Sequence, residues 1–152
     1  MPTPSTHQSG LTNPMSLWNN QAPGVDADGI VRNFIWSPRF STKVAAYTVT
    51  ARETGTWFLT TGATTDITFT LPAISDGPFI FFFVNIADFE LLVASAAADT
   101  LVTFNDAQAD SVAFTTASEQ IGGFVIVGCD GTTVFALTPI SAHSQTVTVA
   151  SA

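Results

Sequence analysis

From Lys43 onward, apolar and polar residues alternate with a period of two, which is the spacing of β-strands. Asp66–Leu71 alternates most clearly, until Pro72 ends the run. Helical spacing is absent, since the Ala96–Ala98 stretch is short and has no cap. The pattern therefore predicts an all-β fold, a β-sandwich or jelly roll of about eight to ten short antiparallel strands. The expected strands are Lys43–Arg52, Thr56–Thr61, Asp66–Leu71, Phe79–Val84, Phe89–Ala94, Leu101–Phe104, Val112–Thr116, Gly123–Cys129, Thr132–Leu137 and Gln145–Val149.

The first 31 residues differ in composition from the rest. They are rich in Pro, Ser, Thr, Asn and Gln, and they lack the repeated apolar positions that a core needs. We therefore expect an extended N-terminal arm over 1–31, a sandwich over 32–140 and a tail strand over 141–152. Leu17 and Trp18 are the expected anchors of the arm, either on a partner or back on its own domain.

The strand Phe79–Val84 is apolar on both faces. Phe79, Phe81 and Phe83 lie on one face and alternate with large apolar residues on the other. Three such side chains left in water would forgo about 1.5–3 kcal/mol each, so both faces are expected to be covered. The second face is covered either by another layer of this chain or by a neighbouring subunit. The candidate residues for a subunit interface on this strand are therefore Phe79, Phe81 and Phe83.

The C-terminal stretch Gln145–Val149 alternates again after a polar linker. Val147 and Val149 form its apolar side and are further candidates for a subunit interface. A detached strand of this kind either completes the sheet edge of a neighbour or pairs within its own sheet. Both readings fit the sequence.

Charge is distributed unevenly along the chain. Twelve Asp and Glu against four Lys and Arg give a net charge of −8. A protein with this much negative charge is expected to bind neither nucleic acid nor an anionic membrane surface. The basic stretch is either a zone that docks on an acidic partner surface or a set of ordinary solvated charges. Its members, which are all the cations of the chain, are Arg32, Arg39, Lys43 and Arg52.

No residue pattern predicts catalysis or a cofactor. His7 and His143 stand at opposite ends of the chain, so they lack metal-ligand spacing. A single cysteine, Cys129, excludes an internal disulfide and a multi-cysteine zinc site. The longest apolar run, Phe79–Val84, is far shorter than the roughly 20 residues that a bilayer requires, and the opening residues do not predict a signal peptide. We therefore expect no enzyme, no metal, no cofactor and no small-molecule substrate.

Several motifs carry a family resemblance. They are Thr61-Gly62, Asp66–Ala73, Gly77 with Phe81–Phe83, and the hairpin around Asp130-Gly131. With these motifs, residues 56–137 resemble the small β-rich decoration, or cement, proteins of tailed-bacteriophage heads. The resemblance implies a homotrimer on the outside of an icosahedral shell, where terminal arms clasp capsid subunits. It carries over no catalytic residues.

Together these expectations describe a structural protein of the virion, located on the outer surface of the capsid. Its expected partners are the major capsid protein and further copies of itself. The candidate capsid contacts are Leu17, Trp18, Arg32, Arg39 and Lys43.

The alternative is a carbohydrate-binding or receptor-binding jelly roll of a phage tail fibre or spike. In that reading, exposed aromatic rings stack on sugar rings. The candidate residues are Trp36, Tyr47 and Trp57.

Overall fold

The computed structural model describes residues 24–25, 31–32, 38–98, 100–104, 106–117, 120–137 and 147–150, with the backbone alone at 24–25 and 31–32. The strands of this part are β1 (Gly24–Val25), β2 (Val31–Arg32), β3 (Arg39–Thr42), β4 (Tyr47–Thr48), β5 (Thr56–Leu59), β6 (Ile67–Thr70), β7 (Phe79–Val84), β8 (Leu91–Ala94), β9 (Leu101–Thr103), β10 (Asp106–Ala109), β11 (Ser111–Phe114), β12 (Phe124–Cys129), β13 (Val134–Leu137) and β14 (Thr148–Ala150). Two 3-10 turns lie at Ala51–Glu53 and Ile74–Asp76. The predicted all-β fold is confirmed.

The chain divides into two units, Met1–Ser37 and Pro38–Ala152. In the first unit, β1 pairs antiparallel with β2. The second unit is a sandwich of a seven-stranded sheet, in the order β10-β9-β13-β12-β7-β5-β3, and a five-stranded sheet, in the order β14-β11-β8-β6-β4. Within the described residues this unit has twelve strands instead of the eight to ten expected, partly because β3 and β10 lack a clear apolar alternation. The domain boundaries expected after residues 31 and 140 stay predictions.

Parallel pairing is the main departure from the sequence prediction. From β3 to β9, consecutive strands alternate between the two sheets. Neighbours within one sheet are therefore separated by a strand of the other sheet, and they run in the same direction. This makes β3, β5 and β7 parallel, as it does β4, β6 and β8. We call each successive pair, β3–β4, β5–β6 and β7–β8, a rung.

The core between the sheets is built on phenylalanine. Phe58 on β5 and Phe83 on β7 stack at 5.4 Å between ring centroids, and both meet Phe69 of the other sheet at 5.5 and 5.0 Å. All three side chains are fully buried. These contacts join the sheets, and they follow from the alternation of the sequence, since every second residue of β5, β6 and β7 points inward.

The predicted strand Lys43–Arg52 is mostly wrong. Only Tyr47 and Thr48 pair in a sheet, because residues 43–46 cross from one sheet to the other and a 3-10 turn follows at Ala51–Glu53. Residues 44–46 of this crossing are all exposed, so the alternation in this stretch does not mark a strand with one buried face.

The predicted hairpin around Asp130-Gly131 is confirmed as the pairing of β12 with β13. The predicted two-residue loop is wrong: the loop has four residues, since Cys129 lies opposite Val134 and β13 begins there. Asp130 Oδ1 accepts hydrogen bonds from the hydroxyl and backbone N–H of Thr132 and from the backbone N–H of Thr133. These bonds lower the pKa of Asp130, and Gly131 supplies the positive φ of 92° that the loop requires.

The outward face of the seven-stranded sheet is apolar over most of its width. Five adjacent strands, β9, β13, β12, β7 and β5, contain no charged residue. Backbone register places one apolar row across five strands of this sheet. This outer row consists of Phe40, Trp57, Phe82, Ile126 and Leu137.

Candidate docking surface

The three cations whose side chains the structure describes lie in or close to the first rung, β3–β4. Arg39 begins β3, Lys43 follows it, and Arg52 lies in the 3-10 turn that leads to β5. Arg39 and Arg52 are exposed, and Lys43 is half-buried. Since β3 and β4 are the last strands at one side of their sheets, this basic edge forms one lateral margin of the sandwich. Arg32 lies in β2, where only the backbone is described.

Lys43 is held in place by a small polar cluster. Its Nζ lies 3.4 Å from the centroid of the Tyr47 ring. The Tyr47 hydroxyl donates to Glu53 Oε1 at 2.8 Å. The backbone N–H and the hydroxyl of Thr50 donate to Glu53 Oε2 at 2.9 and 3.0 Å. The cluster therefore fixes a cation at the surface and ties the 3-10 turn to β4.

Hydrogen bonding sets the titration of this cluster. Burial alone would raise the pKa of Glu53, but hydrogen bonds from Thr50 and Tyr47 and the charge of Lys43 bring it below its ordinary value. The hydrogen bond to Glu53, with some burial and the carboxylate charge, raises the pKa of Tyr47. The cluster therefore favours the ionised carboxylate and the neutral phenol.

Replacing Glu53 by Gln should make folding stability less dependent on pH. The lowered pKa means that Glu53 stabilises the fold at neutral pH, and that this contribution is lost as the pH falls through the folded-state value. Because Glu53 is only partly buried and therefore screened by water, we expect a loss of at most about 1 kcal/mol at pH 7 that shrinks toward zero near pH 3. Urea unfolding at both pH values measures it, with Asp88→Asn as the exposed control. A difference that grows in acid would contradict the assignment.

The predicted interface residues of β7 lie inside the sandwich. Phe79, Phe81 and Phe83 are all buried between the sheets. A contact of β7 with another subunit would therefore use the opposite face, where Ile80 is exposed and Phe82 and Val84 are half-buried.

The two tail valines also lie against their own domain. Val147 and Val149 are partly buried against the core, and β14 pairs with β11 in the five-stranded sheet. This is the second of the two readings that the sequence left open. Leu17, Trp18 and Trp36 lie outside the described residues.

The aromatic rings named for sugar stacking already have protein neighbours. Trp57 stacks on Phe82 at 4.6 Å and on Phe124 at 5.6 Å between ring centroids. Lys43 lies over the ring of Tyr47. Neither ring is presented as an isolated flat platform of the kind that sugar stacking uses.

A cavity of about 300 Å³ lies beside the turn after β6. The hydroxyls of Ser95 and Thr100 are engaged with backbone carbonyls, including that of Ala97. Among the described residues that line it, none is charged, so these residues offer no group for acid–base or metal chemistry. They are Leu71, Pro72, Ala73, Ile74, Ser75, Ser95, Ala96, Ala97, Thr100 and Val134.

Sequence reasoning missed the opposite margin of the seven-stranded sheet. There, Val102, Phe104 and Leu137 are exposed apolar side chains, and Asp106 begins the edge strand β10. β10 has the sequence Asp-Ala-Gln-Ala, which is poor in strand-forming residues. The signal that could have found this margin is Phe104, the last residue of a predicted strand.

Comparison with known proteins gives no relative: no family model and no curated protein matches this chain. Within the described ranges, no helix reaches the length and hydropathy needed to cross a bilayer. In the same part of the chain, no three His, Cys, Asp or Glu side chains are grouped so that they could hold a metal ion. The basic edge and the apolar outward face are therefore the features on which a function can be argued.

Proposed function

We propose that this chain is a structural protein of a virion, a decoration protein that binds the outside of an assembled phage capsid as an oligomer, expected to be a homotrimer, and stabilises the shell. The observation that supports it best is the basic edge. Arg39, Lys43 and Arg52 lie together on one margin of an otherwise acidic sandwich. Such an asymmetry suits docking on an acidic protein surface and gives the bound molecule a defined orientation.

The mechanism would be stabilisation by selective binding. A protein that binds the assembled lattice and not its dissociated subunits shifts the equilibrium toward the lattice by mass action. An oligomer that spans several capsid subunits adds avidity, so modest contacts at each site suffice. This mechanism needs no covalent chemistry. It needs only surfaces that bind, and the basic edge and the apolar outward face are surfaces of that kind.

Charge reversal at the basic edge should weaken attachment to purified capsid shells. We expect Arg39→Glu with Lys43→Glu to reduce co-sedimentation with shells by at least roughly tenfold in low salt, because like charges then face the acidic surface. Raising the salt should weaken wild-type attachment in the same direction. Adding Arg32→Glu extends the test to the first unit.

The control adds negative charge away from the basic edge. Ala73→Glu with Ala117→Glu places two new acids at exposed positions, and attachment should stay near the wild-type level. Deleting residues 1–31, which include Leu17 and Trp18, should abolish attachment while the sandwich stays folded by circular dichroism. Full attachment of the charge-reversed variant would overturn the role of the basic edge.

A further inference from the structure

The two lateral margins of the seven-stranded sheet are complementary to each other. One margin is β3, and the other is β10 with its neighbours β9 and β13. Among the described strands, β3 and β10 each have one side that pairs with no other strand of the sheet. Each margin combines exposed apolar surface with charged side chains, and the charges on the two margins have opposite signs.

The β3 margin consists of Arg39, Phe40 and Arg52. Phe40 is 62% exposed although it is a large aromatic residue. Arg39 lies opposite Thr56 at the start of β5, and Arg52 precedes Thr56 by only four residues. Both guanidinium groups therefore belong to the same end of β3, next to an exposed ring.

The β10 margin consists of Val102, Phe104, Asp106 and Leu137. Phe104 is 50% exposed and Leu137 is 58% exposed. Asp106 begins β10 two residues after Phe104, and its Oδ1 accepts a hydrogen bond from the backbone N–H of Gln108 at 2.8 Å. This bond holds a carboxylate near an apolar patch, and the β3 margin in turn places two exposed arginines near an exposed ring.

Phe104 is also the one non-glycine residue with positive φ among the described residues, at 47°. Since Thr103 pairs with Asp106, Phe104 is the first residue of the tight turn that joins β9 to β10. That position favours Asn or Gly, and a bulky side chain there is strained. The chain thus holds a half-exposed aromatic ring at a strained backbone position. Strain of this kind is characteristic of functional sites.

We propose that copies of this chain associate head to tail, with the β10 margin of one copy docked on the β3 margin of the next. The apolar residues Phe104 and Leu137 would face Phe40, and Asp106 would face Arg39 and Arg52. A second copy is the occupant that the local charges favour, because one molecule carries both the basic β3 margin and the acidic β10 margin that complements it. Such a heterologous contact closes into a ring when its rotation permits.

This inference deepens the proposed function, because it names the surfaces through which the expected oligomer forms. It also separates two tasks along β3. Lys43 lies at the opposite end of the strand from Arg39, so it stays available to a capsid surface while Arg39 contacts the next copy. Arg39→Glu with Lys43→Glu therefore disturbs both contacts, whereas Lys43→Glu alone tests the capsid contact. Self-association can therefore be tested without any capsid.

The test is a charge swap on the full chain, read as mass by sedimentation velocity in low salt over a range of concentrations. We expect the wild type to form species heavier than 16.0 kDa. Arg39→Asp and Asp106→Arg should each weaken association by roughly tenfold, and the double variant should recover it to within roughly threefold of wild type. Asp88→Arg is the control, since it changes the net charge as Asp106→Arg does but lies outside both margins. It should leave association unchanged or strengthen it.

A second variant separates docking from folding. Phe104→Asn should weaken association while the thermal midpoint stays the same or rises, because Asn tolerates positive φ. Ile121→Ala, at another exposed apolar residue, should leave association unchanged. A wild type that stays monomeric, or a double variant that does not recover, would overturn the head-to-tail contact. A monomeric wild type that loses shell attachment in Lys43→Glu would support capsid docking through the basic edge and overturn the head-to-tail contact. An oligomer that does not attach to shells would support the head-to-tail contact and overturn the proposed function.

Discussion

Replacing Phe83 by Ala should lower the free energy of unfolding by about 3–5 kcal/mol. Phe83 is fully buried and lies where the two sheets meet, with ring centroids 5.4 Å from Phe58 and 5.0 Å from Phe69. The substitution removes the transfer free energy of a phenyl ring and leaves a cavity lined by aromatic residues that belong to different strands. Because those residues are fixed by sheet pairing, the cavity cannot close fully, and the cost lies toward the upper end of the range.

Phe40→Ala is the matched control for this substitution. The same atoms are removed from a side chain that is mostly exposed, so the change in unfolding free energy should stay within about 1 kcal/mol. Urea unfolding followed by tryptophan fluorescence and by circular dichroism measures both variants. Equal losses at Phe83 and Phe40 would mean that the sandwich does not depend on the phenylalanine core described here.

Replacing Asn85 by Ala should cost about 2–4 kcal/mol. Asn85 is buried just after β7, and its amide nitrogen donates to the carbonyl oxygens of Phe89 and Gln120 at 2.8 and 3.0 Å. Its Oδ1 accepts from the Thr60 hydroxyl at 2.7 Å. Thr60 in turn accepts from the backbone N–H of Ile86 at 2.8 Å. Removing Asn85 leaves two carbonyls without this donor, in a buried network where unpaired groups are expensive.

Asn85→Asp tests whether the donor carries this effect. The carboxylate keeps the acceptor for Thr60 but turns an oxygen toward two carbonyl oxygens, so it should destabilise the fold at neutral pH. Protonation restores one donor, and the loss should therefore become smaller as the pH falls. Gln108→Ala, at an exposed residue of β10, is the control. A neutral effect of Asn85→Ala would show that water replaces the network without penalty.

Sequence reasoning succeeds here where local chemistry decides the structure. The two-faced pattern of Phe79–Val84 predicted a strand with those boundaries, and β7 has them. The Asp130-Gly131 turn predicted the pairing of β12 with β13, because Gly accepts positive φ and Asp caps the loop. Both features depend only on residues close together along the chain.

Sequence reasoning fails where the direction of a strand and its pairing partner are set by residues far away along the chain. Apolar and polar residues alternate in the same way in parallel and antiparallel strands. The pattern therefore does not predict that the chain crosses to the other sheet after β3. The same limit applies to the inward face of β7, because alternation puts its phenylalanines on one face but does not show that Phe69 of the other sheet packs against Phe83. The basic stretch was visible in the sequence, but only the topology shows that Arg39 and Arg52 share one margin and that Asp106 lies on the other.

The rungs have a consequence for the order in which the chain can fold. No two of the parallel neighbours β3, β5 and β7 are joined by a hairpin, because a strand of the other sheet always intervenes. Such contacts cost loop-closure entropy before they return any stability, and proteins rich in them fold slowly. The hairpins β9–β10 and β12–β13 close within a few residues. Folding should therefore begin in the C-terminal half. β7 would then pair with β12, and β5 and β3 would join the sheet after it.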